Sequence, residues 1–482
     1  MAERTVLCTS GWLLGAVLGL SACSLAPAYH VPPTPVAGQF RSIAPWTTAQ
    51  PSDQLSRDGW WQMYNDPQLD ALQQQLLHNN PDLSAALAHY AQAQAFVRQV
   101  ESGLFPTITG NAEPQRIRQS DNKPLRSGGP DVYNSVTVGA EIDYEVDLWG
   151  RVRDTVAAGK DEAQAQKADL ASARLSLQTQ LADTYIRLRG LDQQTRLLTA
   201  TGAAFEKALN LTQGLHDGGI VSGLDVARAR TQLSSARSQL TQNIAQRALL
   251  EHAIAALVGA SASDFTIAQS TRVVTLPVVP VGLPSTLLQR RPDIAAAERR
   301  TAEANAKIGV ARAAFYPSLT LSAQAGFQSA EYAKLLSAPN LFWMIGPSLV
   351  GTLFDGGAHQ AELDAARAAT DEAGAHYRSV VLAAFAQVED NLSLVSGLGS
   401  ALKDQRDAAD AAQQSENLAL DQYRQGAVGY LDVVSAQTTA LQAQSSVLDL
   451  QTRQLSANVG LIKALGGGWS SEELASISAH KE

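Results

Sequence analysis

Charge is scarce in this chain. Only 17% of its 482 residues are Asp, Glu, Lys or Arg, against about a quarter in ordinary globular domains. The net charge is −9, and no run or stripe of Lys and Arg occurs. Nucleic acid is thereby excluded as the main partner, because binding it needs a basic footprint. Aromatic residues stand at 6%, too few for a thick globular core. Cysteines number two, Cys8 and Cys23, so loss of the first with a leader excludes any intramolecular disulfide. The apolar run "WLLGAVLGL" over 12–20 is too short to span a bilayer as a helix, which takes about 20 residues. Catalytic signatures are missing as well. There is no HExxH, GxSxG, P-loop or GxGxxG, and the eight His residues show no metal-ligand spacing. No cofactor, metal site or enzymatic activity is expected. What remains is Ala, Gln, Leu and Ser, a composition that suits long helices packed through small side chains.

Arg4, the apolar run and the small residues before Cys23 read as an export signal over 1–22. The stretch "LSAC" resembles the lipobox of bacterial lipoproteins, which implies cleavage before Cys23 and acylation of its sulfur and amine. The plain alternative is an ordinary signal peptide with an incidental cysteine. The cysteine count favours the lipobox, since a lone thiol in an oxidising compartment needs a cap. Several acyl chains anchor stably where one binds marginally. Ser24 rather than Asp follows the cysteine; by resemblance to the sorting rules of such lipoproteins, this implies the outer membrane. The Pro-rich residues 23–56 predict an extended tether.

The rest is one unit written twice. "NPDLSAALAHYAQAQAFVRQVESGLFPTIT" is answered by "RPDIAAAERRTAEANAKIGVARAAFYPSLT", and "GGIVSGLDVARARTQL" by "GAVGYLDVVSAQTTAL". Copy one spans 57–270, with a helix, strands over 105–118 and 134–148, a long helix over 151–213, a turn and a helix over 225–258. Copy two spans 271–468, with a helix over 292–314, strands over 317–328 and 342–354, a long helix over 358–424, a turn and a helix over 431–465. Residues 469–482 read as a flexible tail. Pro81 with Asp82, and Pro292 with Asp293, open the first helix of each copy, where a missing N–H costs nothing and an acid complements the dipole. Leu181, Leu188, Leu198 and Phe205 in one long helix, and Val381, Val388, Leu392 and Leu402 in the other, fall at coiled-coil spacing. At about 1.5 Å per residue each long helix runs roughly 95–100 Å.

The strands alternate. In "SVTVGAEIDYEVDLW" the even positions from Val136 to Leu148 are apolar, and the odd ones include Glu141, Asp143 and Glu145. A small sheet on a soluble core is the common reading of such a pattern. Here the helices spend their apolar stripes on each other, and no third layer is left to cover the sheet. Membrane strands of about 9–11 residues alternate in this way. Four strands leave open edges that lipid does not tolerate, so closure between chains is expected, with three chains giving twelve strands. Glu141, Asp143 and Glu145 then line a water-filled lumen. An acid/base pair of Asp143 and Glu145 is the weaker reading of the same residues.

"LPSTLLQRRPDIAAAERRTAEANAKIGVARAAFYPSLTLSA" over 283–323 is very similar to a signature of the outer-membrane factor family, and "YEVDLWGRVR" and "LFDGG" resemble its strand-to-helix junctions. These are TolC-like channels, here in the lipoprotein (NodT-type) branch that serves resistance–nodulation–division efflux pumps. The resemblance implies a homotrimer with a twelve-stranded outer-membrane β-barrel, four strands per chain. It also implies a twelve-helix periplasmic α-barrel, belted by the early helix near 66–78 and the stretch after Gly259. The implied function is a passive exit duct for small toxic amphiphiles, fed by an inner-membrane pump through a periplasmic adaptor.

Two turns, "LHDGGIVSGLD" and "RQGAVGYLD", read as plain helical hairpins with Gly caps. The resemblance places them at a periplasmic tip. Gly218, Gly219, Val221, Ser222, Leu224, Asp225 and Gly426 are the implied adaptor contacts. Tyr423, Leu431, Asp432, Ser435 and Thr438 fall at the implied gate. Relatives often carry Asp and Arg where this chain has Ser435 and Thr438, so no ionic lock is expected there. A ring of Leu431 side chains closes a pore by excluding water; Asp432 is expected to bind cations or to pair with Arg228 or Arg230. A type I protein-secretion channel shares fold and tip, and the lipobox favours efflux over it. A non-conducting coiled-coil lipoprotein is the alternative of another class, and it has no use for lipid-facing strands.

Overall fold

A computed structural model describes residues 24–36, 40–41, 59–122, 130–279 and 290–467. The elements are α1 (Pro67–Asn79), α2 (Pro81–Glu101), β1 (Thr107–Arg118), β2 (Val132–Val146), α3 (Arg151–Asp217), α4 (Gly223–Leu257), α5 (Pro292–Ala313), β3 (Ser318–Ser329), β4 (Leu341–Val350), α6 (Ala358–Arg424) and α7 (Tyr430–Ala464). Among the described residues no helix is long and apolar enough to cross a membrane.

Contacts divide the chain into two compact units that cut across the two copies. One takes Met1–Pro32, His89–Gln166 and Ala296–Tyr377; the other takes Pro33–Ala88, Lys167–Ala295 and Arg378–Glu482. Each unit therefore holds matching pieces of both repeats.

The first unit holds the sheet, antiparallel throughout in the order β1-β2-β3-β4. Directly paired residues share a face, so the register sorts the side chains. Ile108, Ile142, Ala323 and Ile345 form one row; Ala112, Val138, Phe327 and Leu341 form another on the same face. The opposite face carries Thr107, Asp143 and Ser322 in one row and Thr109, Glu141 and Gln324 in the next. β4 keeps the apolar face but puts Phe342 and Met344 on the other, as its irregular sequence leads one to expect. Strand β2 ends at Val146, short of 148, because Asp147 turns back to accept from the N–H groups of Val152 (3.1 Å) and Arg153 (2.9 Å) and caps α3. β4 ends at Val350 rather than 354. Asp355 caps α6 in the same manner, accepting from Gly357 and His359 N–H, and this frees Leu353 and Phe354, which are almost fully exposed. β1 starts after Pro106, not at 105, and β3 covers Ser318–Ser329 instead of 317–328.

The N-terminal segment is strapped to α5 in this unit. Arg312 donates to Leu25 O at 2.9 Å, Asn305 to Pro27 O at 2.8 Å, and the Tyr29 hydroxyl to Glu298 Oε1 at 2.8 Å. Burial and the Glu298 carboxylate push the Tyr29 hydroxyl well above the usual phenol range.

The second unit holds the core. Trp60, Trp61 and Tyr64 pack with Leu69, Leu72 and Leu76 of α1, Leu181 and Leu188 of α3, Ile254 of α4, Val388 and Leu392 of α6, and Val459 and Leu461 of α7. Ile267, Val274 and Val279 close it from the stretch after Gly259. The two copies are finished alike. Asn80 Nδ2 donates to Leu257 O at 2.8 Å, and Arg291 Nη1 to Ala464 O at 3.2 Å. A buried ionic network braces one side: Asp192 receives Arg189 and Arg247, each at 2.7 Å, and Arg247 also reaches Glu251 at 3.1 Å.

Candidate functional site

Two sets of residues were expected to work, the helical turns and the polar sheet face. Both turns belong to the second unit. α3 runs to Asp217, past 213, because Gly214 keeps a helical conformation. Gly219 is the residue that goes left-handed, at φ 73°. Ile220 N–H donates to Leu215 O and Gly219 N–H to His216 O, both at 2.8 Å, the paired bonds that close a helix on an αL residue. Gly426, at φ 75°, does the same for α6, with Ala427 N–H to Gln422 O (2.9 Å) and Gly426 N–H to Tyr423 O (3.0 Å).

Helix α4 begins at Gly223, two residues before the expected 225, because Ser222 is its cap. Ser222 Oγ accepts from Asp225 N–H at 3.4 Å and donates to Asp225 Oδ2 at 2.9 Å. α7 begins at Tyr430, behind Gly429. At the first turn Gly218, Gly219, Ser222 and Leu224 are exposed, with Val221 and Asp225 half-buried. Ile220, not singled out from sequence, is 71% exposed. It stood in the quoted turn as the apolar residue just after two glycines, and that position was its signal. At the second turn Gly426 is exposed.

The gate candidates separate. Leu431, Asp432, Ser435 and Thr438 lie on an exposed face of α7. Tyr423 does not join them: it is buried with Ala229, Tyr430 and Val433. Its ring lies 5.3 Å from that of Tyr430, and its hydroxyl donates to Thr212 Oγ1 at 3.5 Å. Burial pushes the Tyr430 hydroxyl up to about 12. Asp432 pairs with neither Arg228 nor Arg230. Arg228 turns instead to Asp225 on its own helix, at 3.3 Å, where the spacing of three residues brings the two together. Thr438 accepts a long bond from Gln232 at 3.4 Å and donates to Val434 O. One residue of this helix was missed. Gln437 lies between Val433 and Ala440 on the buried seam, is 1% exposed, and has no partner for either amide atom among the described residues.

On the sheet, Glu141, Asp143 and Glu145 share the polar face by register. Asp143 accepts from Ser322 Oγ at 2.6 Å. Glu145 is held by Arg151, at 2.9 and 2.5 Å. Cys23 lies outside the described residues. Its neighbour Ser24 donates to Asp154 Oδ1 at 2.7 Å, just past the cap of α3. No cluster of His, Cys, Asp or Glu able to hold a metal occurs among the described residues.

Known proteins are similar to this chain in sequence and in fold. The model of the outer membrane efflux protein family matches residues 72–260 and 283–467, one match per repeat. The antibiotic efflux pump outer membrane protein ArpC of Pseudomonas putida is 34% identical over 454 residues, 93% of each chain. The pyoverdine export outer membrane protein OpmQ of Pseudomonas aeruginosa is 33% identical over 472 residues, 95% of this chain and 97% of that one. The crystal structure of the Campylobacter jejuni CmeC outer membrane channel superposes with a TM-score of 0.88 at 26% identity, over 95% of this chain and 98% of that one.

Proposed function

Because the chain belongs to the outer membrane efflux protein family, whose model spans both of its repeats, we propose that it is the passive exit duct of a tripartite efflux system. Its fold is that of the TolC-like outer-membrane channels, mostly helical with a four-stranded sheet per chain. It is an outer-membrane protein with a periplasmic extension.

The sheet carries the reading. Its apolar face is exposed over β4, where Trp343 and Ile345 are each 72% exposed and Leu349 is 65% exposed, while Val136 at the far end of β2 is buried. β1 and β4 each leave one edge unpaired. An open edge in lipid costs several kcal/mol for each unmet backbone group. Pairing β4 of one copy with β1 of the next removes both edges. Three copies close twelve strands around a lumen lined by Glu141, Asp143 and their polar neighbours.

Export needs no chemistry from this chain. An inner-membrane pump, of the resistance–nodulation–division type, supplies the energy and a periplasmic adaptor bridges to the exposed turns. Gly218, Gly219, Val221, Ser222, Leu224, Asp225 and Gly426 are the proposed contact, and the exposed Ile220 joins them. Leu431, with Asp432, Ser435 and Thr438 on the same exposed face, narrows the pore, and Tyr423 acts from behind by positioning Tyr430. Small toxic amphiphiles are the proposed cargo, in keeping with the antibiotic and pyoverdine export that name its relatives. Acylation of Cys23 is proposed as the anchor. Ser24, held where β2 passes into α3, keeps the start of the mature chain at the strand ends.

The test is complementation. In a host lacking its own outer-membrane duct, co-expression with a cognate adaptor and pump is expected to restore resistance to toxic amphiphiles. Replacing Ile220 and Leu224 by Asp is expected to abolish that resistance while leaving the trimer in the outer membrane. Full resistance in the double variant would remove the turns from the adaptor contact.

A further inference from the structure

The sheet's apolar face is not uniform. Near the strand ends that join the helices it is hollowed into a cleft of about 560 Å³. Two register rows form its floor. Ala323 lies between Ile142 and Ile345, a small side chain between two large ones; Leu321 lies between Tyr144 and Pro347. Leu104 and Pro106, from the turn that leads into β1, complete the wall. No described segment of the chain covers it: Ile142 is 40%, Leu321 44% and Ile345 72% exposed.

From this geometry we propose that the cleft binds one acyl chain of a glycerophospholipid from the inner leaflet of the outer membrane. The inference rests on the barrel reading above, which makes this face the bilayer interface and the cleft continuous with it. The chemistry of the lining selects the occupant. The side chains on its face are hydrocarbon apart from the Tyr144 hydroxyl, since Ser322 turns its own to the opposite face and donates to Asp143, so a polar ligand would leave its own groups unmet, whereas a methylene chain loses only contact with water or with disordered lipid. The volume falls within the range of about 300–1,000 Å³ that holds small ligands.

The depth selects the leaflet. Tyr144 and Leu321 lie near the ends of β2 and β3 that continue into helices, and the helices form the periplasmic extension. At the same ends Trp149 stacks on Tyr316 at 4.5 Å and donates from Nε1 to Pro317 O at 2.9 Å. Such an aromatic pair belongs at head-group depth. A chain entering there runs from the interface up the β3 trough.

Native mass spectrometry of the full-length trimer tests this, after detergent purification and addition of palmitoyl-oleoyl-phosphatidylethanolamine. The wild-type trimer is expected to keep up to three phospholipids. Ala323→Trp fills the floor and is expected to reduce retention at least threefold. Ala325→Trp, two residues along the same strand on the same face but outside the lining, is expected to retain lipid as wild type does. Where Ala323→Trp fails to assemble, Ile345→Ser, which strips the rim, is expected to lower retention likewise. Equal retention in the filled and native clefts, equal loss in both Trp variants, no retention by wild type, or lipopolysaccharide in place of phospholipid would each overturn the site. Trimer mass and conductance from the same sample separate the two inferences. A conducting trimer whose Ala323→Trp form still holds lipid overturns the cleft alone; a non-conducting monomer overturns the barrel and the cleft with it.

Discussion

Gln437 shows how much one side chain sets here. It is sealed in the seam of α7 with neither amide atom paired among the described residues, and a buried unmet polar group costs about 1–3 kcal/mol. Gln437→Leu keeps the volume and removes that cost. Thermal denaturation of the trimer is expected to show stabilisation of about 1–3 kcal/mol; a loss of stability would mean that the amide has a partner. Asp161 gives a pH-dependent case. Burial raises its carboxyl from 3.8 to about 6 against the opposing pull of Arg299, with Glu298 and Glu303 adding to the rise. Because the folded value lies above the unfolded one, its contribution is fully present below about pH 3.8 and is lost as pH rises through 6. Asp161→Asn is therefore expected to raise the melting temperature by roughly 1–3 °C at pH 7.5 and to change nothing near pH 3.5. A gain that persists in acid would contradict this. Neither residue announced itself in the sequence. Gln437 is one of many helical glutamines, and only its step of four from Val433 and three to Ala440 marks the seam. Asp161 acquires its environment from α5, far along the chain.

Elements were read more easily than their ends. The 3.6 and 2.0 periodicities located every long helix and every strand, because an apolar stripe has to face something whatever the tertiary detail. Ends moved by up to four residues, since they are decided by single side chains that turn back. Asp147 leaves β2 to cap α3; Ser222 starts α4 early; Gly219, not Gly214, stops α3. The caps can be tested. Gly426 has open space around its missing Cβ, but its φ is 75°, and a left-handed non-Gly residue costs about 1–2 kcal/mol. Gly426→Ala is expected to destabilise the hairpin by about that amount, seen as faster amide exchange in the last turn of α6. Unchanged exchange would show that the turn relaxes freely. Asp147→Ala, which strips two N–H partners from the start of α3, is expected to cost about 1–2 kcal/mol on the same kind of measurement. The pairing expected between Asp432 and Arg228 gives way to a nearer partner, Asp225, three residues before Arg228 on the same helix.

The whole molecule follows from a sheet that cannot finish itself. Alternation in β2 and β3 already showed two unlike faces, and the register sets most apolar rows together, with Ile117 beside Tyr133, and Phe342 and Met344, on the polar face. The repeat was legible because both copies keep the same helix-opening Pro-Asp and the same closing glycines. That contacts regroup the copies into two units, each taking pieces of both, was not legible, since it depends on which matching segments pack side by side. If three sheets close into one barrel as proposed, the trimer conducts, and the proposed gate sets its bore near Leu431. The most direct measurement is single-channel current through the purified protein in a planar lipid bilayer. Discrete steps from a particle of trimer mass, larger when Leu431 is replaced by Ser, are the predicted result. A protein that inserts but passes no current, in native form and as Leu431→Ser, would contradict the account.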